Sequence, residues 1–432
     1  MGSTASTDPP LPHVRLVVLN FNGGTDLGRC VGSLTGLDWP ADRREIVVVD
    51  NASTDGSVER ARDAYPEIAI LRSPKNLGFS ANNLAFRDLD DVDFVALVNP
   101  DTVVDPGWLR ALVTAVGDDP SVGAAVGKML LDVPLVWLDV DPSGDAATIV
   151  SVSDGTDRSS ECRRVWRLLD VGTPVPDRPA ERRFAAGSRV PLAVPSESRH
   201  VDVGVRDPAP ALRHDGRRGN ALGGAGLRFL LGPERTTVIN NAGVELLADG
   251  YGRDRGLGLA PEQLDRPADV FAWSGGGVLL RVAFLRDVGG FDPRFFLYYE
   301  DLDLSWRGRL AGWRYRYTPD AVLHHRHGAS SDASSQLFRD QNERNRLFAT
   351  VKNAPPTFVA RVLVTFLRSI VGHGLAAAGR RPVLSTTEHR AHLRARLRAG
   401  AALVVNLRGL LADRRVSRSR LAGRDPVRRW VD

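Results

Sequence analysis

The sequence predicts an α/β protein organised on a parallel sheet. Two patterns carry that expectation. Apolar runs of four to seven residues alternate with amphipathic stretches of helical period through the first hundred residues. Polar residues then gather just past the carboxyl ends of three of those runs, at Asn20 and Asn22, at Asp50 and Asn51, and at Asn99 and Asp101. Parallel sheets bind their ligands at such ends.

The elements follow in order. Val14-Arg15-Leu16-Val17-Val18-Leu19-Asn20 reads as a first buried strand. A Gly-containing loop, 22–24, leads to Thr25 and Asp26, which suit the cap of a helix covering Leu27, Val31 and Leu34. A second strand spans 45–50 and ends in Asn51-Ala52-Ser53-Thr54-Asp55-Gly56, followed by an amphipathic helix over 57–65 and a short third strand at 68–71. Another helix carries Ala81, Leu84, Ala85 and Phe86 before a fourth strand, 94–98. Alternation of this kind implies right-handed βαβ units. The pattern breaks near Leu131. Residues 133–235 are rich in Pro, Asp, Arg and Gly with short alternating stretches, and read as an inserted β-rich module or as a partly disordered insertion. Order resumes at 236, and past Ala354-Pro355-Pro356 the chain reads as Arg-rich helix to its end.

Composition narrows the class. At 432 residues, with 25% charged and 43% hydrophobic side chains, the chain suits a folded protein of several units or one α/β unit with an insertion. Cys30 and Cys162 are the only cysteines, which excludes a disulfide scaffold and a cysteine zinc cluster and fits a reducing compartment. Residues 1–12 are polar and Pro-rich, without the basic-then-apolar order of a signal peptide, and read as a disordered tail. The longest apolar stretch, 357–379, is interrupted by Arg361, Arg368 and His373, so no membrane-spanning segment is expected. Fourteen arginines against four carboxylates in 379–432 make the tail a separate electrostatic object within a chain of net charge +5. Phe358, Val362, Phe366 and Ile370 recur at helical spacing just before it. Such a segment either lies on an anionic membrane or packs on the preceding domain with a solvated face. Nucleic acid is not expected as a partner, because Trp430 is the one aromatic after Phe366.

The sheet lacks the motifs of two common chemistries. The loop Asn22-Gly23-Gly24-Thr25-Asp26-Leu27-Gly28 has no G-x-G-x-x-G spacing, and no G-x-x-x-x-G-K-[S/T] occurs. Hydride transfer and P-loop nucleotide hydrolysis are therefore disfavoured. Acidic residues sit instead where a nucleotide and a metal need them. Asp50 at a strand end suits a base N–H or a ribose hydroxyl, and Asp101 suits a hard divalent cation that takes its remaining ligands from substrate phosphates. Each alone is equally an ordinary loop residue.

Val48-Val49-Asp50-Asn51-Ala52-Ser53-Thr54-Asp55-Gly56, Lys75-Asn76-Leu77-Gly78-Phe79-Ser80-Ala81-Asn82-Asn83 and Leu97-Val98-Asn99-Pro100-Asp101-Thr102 together resemble the inverting family 2 glycosyltransferases of the GT-A fold. The stretch from Gly289-Gly290-Phe291-Asp292 through Tyr298-Tyr299-Glu300-Asp301-Leu302-Asp303-Leu304-Ser305-Trp306-Arg307 continues the match. The similarity covers about 13–132 and 236–352 and is nearest to the rhamnosyl- and galactofuranosyltransferase branch of bacterial cell-wall and surface polysaccharide synthesis. It implies a GT-A domain in two halves, a nucleotide-sugar half at 13–132 and an acceptor and catalytic half at 236–352, with the β-rich insertion at 133–235 and a basic helical segment at 353–432.

The resemblance also implies roles. Asn20, Asn22, Asp50, Asn51, Asn82, Asn99 and Asp101 would hold the nucleotide-diphosphate sugar. Asn99 departs from the family's D-x-D-type motif and leaves Asp101 as the main carboxylate on Mg²⁺ or Mn²⁺. His325 of His324-His325-Arg326-His327-Gly328-Ala329-Ser330 would complete the metal site. Asp301 would be the general base on the acceptor hydroxyl, with Glu300 and Asp303 positioning it or raising its pKa by like-charge proximity. Asp303 and Arg307 equally suit a helical i,i+4 pair. Trp273, Gly275 and Gly276 would meet the acceptor, a glycan or polyprenyl-linked sugar, with Trp273 stacking on a sugar face or buried beside a tight turn. The expected location is cytoplasmic, peripheral on the inner face of the plasma membrane. Two other functions fit less well. A sugar nucleotidylyltransferase wants a basic Gly-rich loop, and 20–28 contains no Lys. An inactive sugar-binding scaffold would not need both Asp101 and Asp301. A processive synthase is disfavoured because Gln341-x-x-Arg344 is followed by Asn345, where those enzymes carry Trp.

Overall fold

The computed structural model describes residues 11–175, 178–206, 212–222, 226–326, 335–377, 386–421, 425 and 427–431. Its central sheet begins with parallel strands β1 (Val14–Asn20), β2 (Arg44–Asp50), β3 (Ala69–Arg72) and β4 (Phe94–Val98) in the spatial order β3-β2-β1-β4. Strand Gly277–Arg281 joins antiparallel to β4 and to β6 (Val122–Leu131), and the long strand Arg314–His325 runs parallel beside β6. The short β5 (Thr102–Val104) pairs antiparallel with the end of that long strand, so Thr102 lies opposite His325. Three strands finish in register, Asn20 beside Asp50 and Asp50 beside Arg72, which aligns their loops along one edge.

Alternation decides what covers the sheet. Val14, Leu16 and Val18 face one core with Ile46 and Val48, closed by α1 (Asp26–Thr35), α2 (Ser57–Ala64) and α3 (Trp108–Val116). Val17, Val47 and Val49 face the other with Trp273, Phe284, Phe291, Tyr315 and Tyr317. The segment expected as a helix around Ala81 forms a 3-10 stretch instead, Gly78–Phe86. Gly78 adopts φ +63, and a Cβ there would stand 2.0 Å from the Phe296 carbonyl oxygen. The loop must therefore approach the backbone of 296 directly, a contact only glycine allows.

The insertion has its own core, with Leu138, Ile149, Trp166, Phe184, Val190, Val203 and Phe229 among its buried residues. A six-stranded and a four-stranded antiparallel sheet enclose it together with α4 (Ser159–Leu168). Its two ends are stitched together. Leu135 and Thr236 exchange backbone hydrogen bonds of 2.9 and 3.1 Å, and Leu131 N–H donates to Val238 at 2.9 Å.

After α5 (Val282–Val288) and α6 (Glu300–Leu310), the chain ends in α7 (Gln336–Asn353), α8 (Pro356–Ala377), α9 (Thr386–Ser419) and α10 (Val427–Val431). A fourth core joins them to α6 through Trp306, Phe348, Phe358, Val362, Phe366, Ala399 and Leu410. Contrary to the sequence expectation, α8 is long and apolar enough to cross a membrane by length and composition. Its Phe358, Val362 and Phe366 are nonetheless buried against the protein.

Candidate active site

The loops beyond β1 and β2 are tied to each other before any ligand is considered. Asn20, fully buried, donates to Ser53 Oγ at 2.9 Å and Ser57 Oγ at 3.0 Å. Asn22, exposed and left-handed at φ 54, accepts from Thr54 N–H. Asp55 accepts from Gly24 N–H and from Ser57, bonds that hold its carboxyl below the usual range against the upward push of burial. Asp50 takes Arg72 Nη1 at 2.7 Å on one oxygen and Ser53 N–H on the other. Asn51 links β2 to Asn76, Leu77 and Gly78, and Asn82 donates to Phe79. Asn20, Asn51 and Asn82 are enclosed and bonded within the protein. Their amide N–H groups brace the loops beyond β1, β2 and β3. Exposed Phe21, between Asn20 and Asn22, is an aromatic on this rim that the motif reading passed over.

Past β4, the Asn99 N–H donates to Gly276 at 3.1 Å, so the Asn99-Pro100-Asp101 turn leans on the Gly-rich loop before strand Gly277–Arg281. Asp101 is buried, and its Oδ1 lies 3.2 Å from His325 Nε2. His325 Nδ1 meets Asn240 Oδ1 at 2.7 Å. An imidazole fixed through one nitrogen, with the other facing a carboxylate, is the arrangement of a metal-ligating histidine. His324 turns instead to Asp105 at 3.3 Å. His327, Gly328 and Ser330 lie outside the described residues. Among the described residues no group of three His, Cys, Asp or Glu side chains converges on one point. The pair Asp101 and His325 therefore fits a cation that completes its shell with a bound diphosphate.

Asp301 lies in the first turn of α6, where the helix dipole favours a carboxylate. The turn that delivers it is unusual: Phe296, Tyr298 and Tyr299 all have φ between 62 and 68. Such residues cost roughly 1–2 kcal/mol each. Asn345 of α7 holds them by donating to the carbonyls of Phe295, Leu297 and Tyr298, and Arg344 donates to those of Arg294 and Phe295. Asn345 thus acts as a clamp on the turn that presents the acid pair.

The Asp301 carboxylate receives Gly275 N–H at 3.1 Å and Leu302 N–H at 2.7 Å. Burial raises its pKa to about 6; the two backbone donors restrain the rise and Asp254 adds to it. Glu300, buried, is pushed well above its ordinary value by desolvation and then by Asp301.

Asp303 does not join them. Burial pushes it up, but Lys352 at 2.9 Å and Arg307 at 2.9 Å overcome this and hold it down, while Asn353 donates to its other oxygen. Its charge is spent on α7, so the like charge near Asp301 comes from Asp254. Of the two readings of Trp273 the structure matches the buried one: its side chain is enclosed against Phe291 and Tyr315. Gly275 and Gly276 are buried too, and a Cβ on Gly275 would stand 2.4 Å from the Phe79 ring. Their backbones hold Asp301 and Asn99.

Two asparagines outside every motif complete the site. Asn240 holds His325, and its neighbour Asn241 donates to Asp254 Oδ1 at 2.6 Å. Burial raises Asp254, opposed by Asn241 and His325. Asp254 is half-buried. The signal available in sequence was the Asn240-Asn241 doublet, which carries no chemistry until the fold pairs it.

A nucleotide-type α/β sheet, a carboxylate–imidazole pair at its edge and a separately held basic carboxylate define a group-transfer enzyme. The model for glycosyl transferase family 2 matches residues 16–130, and the model for glycosyl transferase family group 2 matches 237–378. The chain belongs to the family 2 glycosyltransferases and has their GT-A fold, interrupted by the insertion. It is 26% identical over 342 residues to the N-acetylglucosaminyl-diphospho-decaprenol L-rhamnosyltransferase of Mycobacterium tuberculosis, covering 74% of this chain and 79% of that one. Among solved structures it resembles GalNAc-T7 with UDP, GalNAc and Mn²⁺, at 12% identity and TM-score 0.48, covering 93% of this chain but spanning only 58% of that one. It also resembles the mannosyltransferase PcManGT of Pyrobaculum calidifontis with GDP-Man and Mn²⁺, at 16% identity and TM-score 0.41, covering 92% and 87%.

Proposed function

We propose that this glycosyltransferase moves a deoxyhexosyl residue of the rhamnose type from a nucleotide-diphosphate donor to a polyprenyl-diphosphate-linked sugar, with inversion, in cell-wall or surface polysaccharide synthesis. The observation that carries the mechanism is Asp301: a carboxylate fixed by two backbone N–H groups and poised at a pKa of about 6. That poise suits a base that takes the acceptor hydroxyl proton near neutral pH. Glu300 beside it is pushed well above its ordinary value by burial and by Asp301, which favours the negative charge on Asp301. The loops pinned by Asn20, Asn22 and Asp55 seat the nucleotide, and Asp101 with His325 would hold Mg²⁺ or Mn²⁺. When bound there, the cation supplies positive charge against the diphosphate as it leaves. The activity of the mycobacterial rhamnosyltransferase that this chain resembles supports the sugar and the lipid-linked acceptor.

The test offers a panel of nucleotide sugars, with and without a polyprenyl-diphosphate N-acetylglucosamine acceptor, to the purified full chain. Transfer from a deoxythymidine-diphosphate rhamnose donor with anomeric inversion supports the reading. Transfer with retention removes the base role of Asp301, and use of a different sugar alone removes the rhamnosyl assignment.

A further inference from the structure

The arginines of the C-terminal segment divide into two sets with different work. Arg396, Arg414 and Arg418 face inward. Arg396 reaches Glu343 at 3.2 Å and Ser369 at 2.7 Å, Arg414 donates to the carbonyls of Val351 and Ala354, and Arg418 to that of Asn353. These hold α9 on α7. Arg390, Arg394, Arg408 and Arg415 face outward, are exposed, and pair with no carboxylate among the described residues.

Apolar side chains share that outer face. On α9, Leu397 is 55% exposed, Val404 73%, Val405 82% and Val416 67%. At 100° per residue, 390, 394, 397, 401, 404, 405, 408, 411, 412 and 415 fall on one side of the helix. The stretch between Arg390 and Val416 puts no acidic residue on this side; Asp413 is turned to Arg294. The outer side of α8 adds Val364, Leu367, Val371 and Leu375, bordered by Arg361 and Arg368. The α8–α9 hairpin therefore carries aliphatic stripes edged by guanidinium groups that pair with no carboxylate among the described residues.

We infer that this face docks the enzyme on an anionic membrane surface, the hairpin lying in the interface plane. Aliphatic side chains enter the acyl boundary while the arginines meet lipid phosphates. A second copy of the chain is a poor occupant, because it would set like-charged arginines against each other without carboxylates to offset them. Spanning is also disfavoured: Phe358, Val362 and Phe366 tie the inner face of α8 to the catalytic half, with Phe358 in edge contact with Trp306. The inference deepens the proposed reaction, since a polyprenyl-linked acceptor is confined to a bilayer, but its test does not depend on that reaction.

Deleting the segment would strip the fourth core, so the experiment uses point variants of the full chain. Co-sedimentation is measured with vesicles of pure phosphatidylcholine and with vesicles containing 30 mol% phosphatidylglycerol, a composition of about one anionic lipid in three. Arg390→Glu, Arg394→Glu, Arg408→Glu and Arg415→Glu are combined in one variant, and Val404→Asp with Val405→Asp in another. Each arginine near an anionic surface contributes about fivefold to partitioning, so the charge variant should bind at least ~100-fold more weakly. The valine variant should also lose binding, and 1 M salt, with a Debye length of ~3 Å, should release the wild type. Circular dichroism and donor hydrolysis, read without vesicles, show that each variant is folded. Equal binding by folded variants overturns the inference, as does equal binding to neutral vesicles. Salt-resistant binding would mean insertion of α8, and a wild-type dimer made monomeric by Val404→Asp and Val405→Asp would mean self-association. Either result also overturns it. Docking with no rhamnosyl transfer would leave this inference standing and remove only the proposed reaction.

Discussion

Replacing Asp301 by Asn should stabilise the protein while it abolishes transfer. In the folded state the Asp301 carboxyl titrates near 6 against an ordinary value of 3.8. A gap of about two units at 1.36 kcal/mol each makes the ionised form a burden of about 3 kcal/mol at pH 7.5. The sign follows from the raised folded-state value. Below about pH 3.8 the group is protonated folded or unfolded and nothing is lost; the penalty grows between 3.8 and 6 and is complete above that. Asn carries no charge at any pH, but its amide accepts from only one of the N–H groups of Gly275 and Leu302, which loses about 1 kcal/mol. The net gain is about 2 kcal/mol at pH 7.5 and close to zero at pH 4.5. Urea unfolding of both proteins at the two pH values measures it. In parallel, turnover should fall ~100-fold or more with donor affinity unchanged, since the base acts on the acceptor. A variant that is no more stable at pH 7.5 than at pH 4.5, relative to wild type, would refute the account of the strained carboxylate. One that keeps more than about a tenth of its turnover, against the loss expected of a missing general base, would refute the role.

Transfer by wild type should show an acid limb centred near pH 6, and Asp254→Asn, by removing a like charge, should move that limb to lower pH; an unmoved limb would separate Asp254 from Asp301. Chelation with EDTA should stop transfer and Mg²⁺ or Mn²⁺ should restore it, with Asp101→Ala and His325→Ala resisting rescue; full activity in metal-free buffer would remove the metal role of both. Lys352→Ala should destabilise the fold by about 3 kcal/mol, because Asp303 and Asp292 lose a buried counter-charge. Donor KM should stay unchanged, and a drop in donor affinity at wild-type stability would instead place Asp303 in the site.

The parallel strands and the polar clusters at their ends were legible because both are local: apolar runs mark the strands, and the residue after each run must face the sheet's edge. Asp301 stands out in the sequence through its motif. What surrounds it does not. Asp254 approaches through a strand pair nearly fifty residues upstream, and Asp303 finds Lys352 and Asn353 on a helix nearly fifty residues downstream. Spacing within a motif carries no record of such partners. Trp273 could be read either way for a related reason: glycines beside an aromatic suit an open ligand loop or a tight turn, and here they let Phe79 and Met129 pack closely over it. The uneven work of the tail arginines depends on helix phase against α7, which charge counting averages away.

The stitched neck of the insertion bears on how such an enzyme changes over generations. Leu135 and Thr236 sit one strand spacing apart, and the Trp137 indole N–H donates to Thr236 Oγ1 at 2.9 Å across the same junction. To the catalytic sheet, a hundred residues are then equivalent to a hairpin turn, since loop closure is settled at the neck whatever lies beyond. A lineage can lengthen, trade or discard the appendage there while leaving Asp101, His325 and Asp301 where they are. Such a junction lets one glycosyl-transfer engine be refitted with different attachments, and surveys of related chains should find their greatest variation in length at this point.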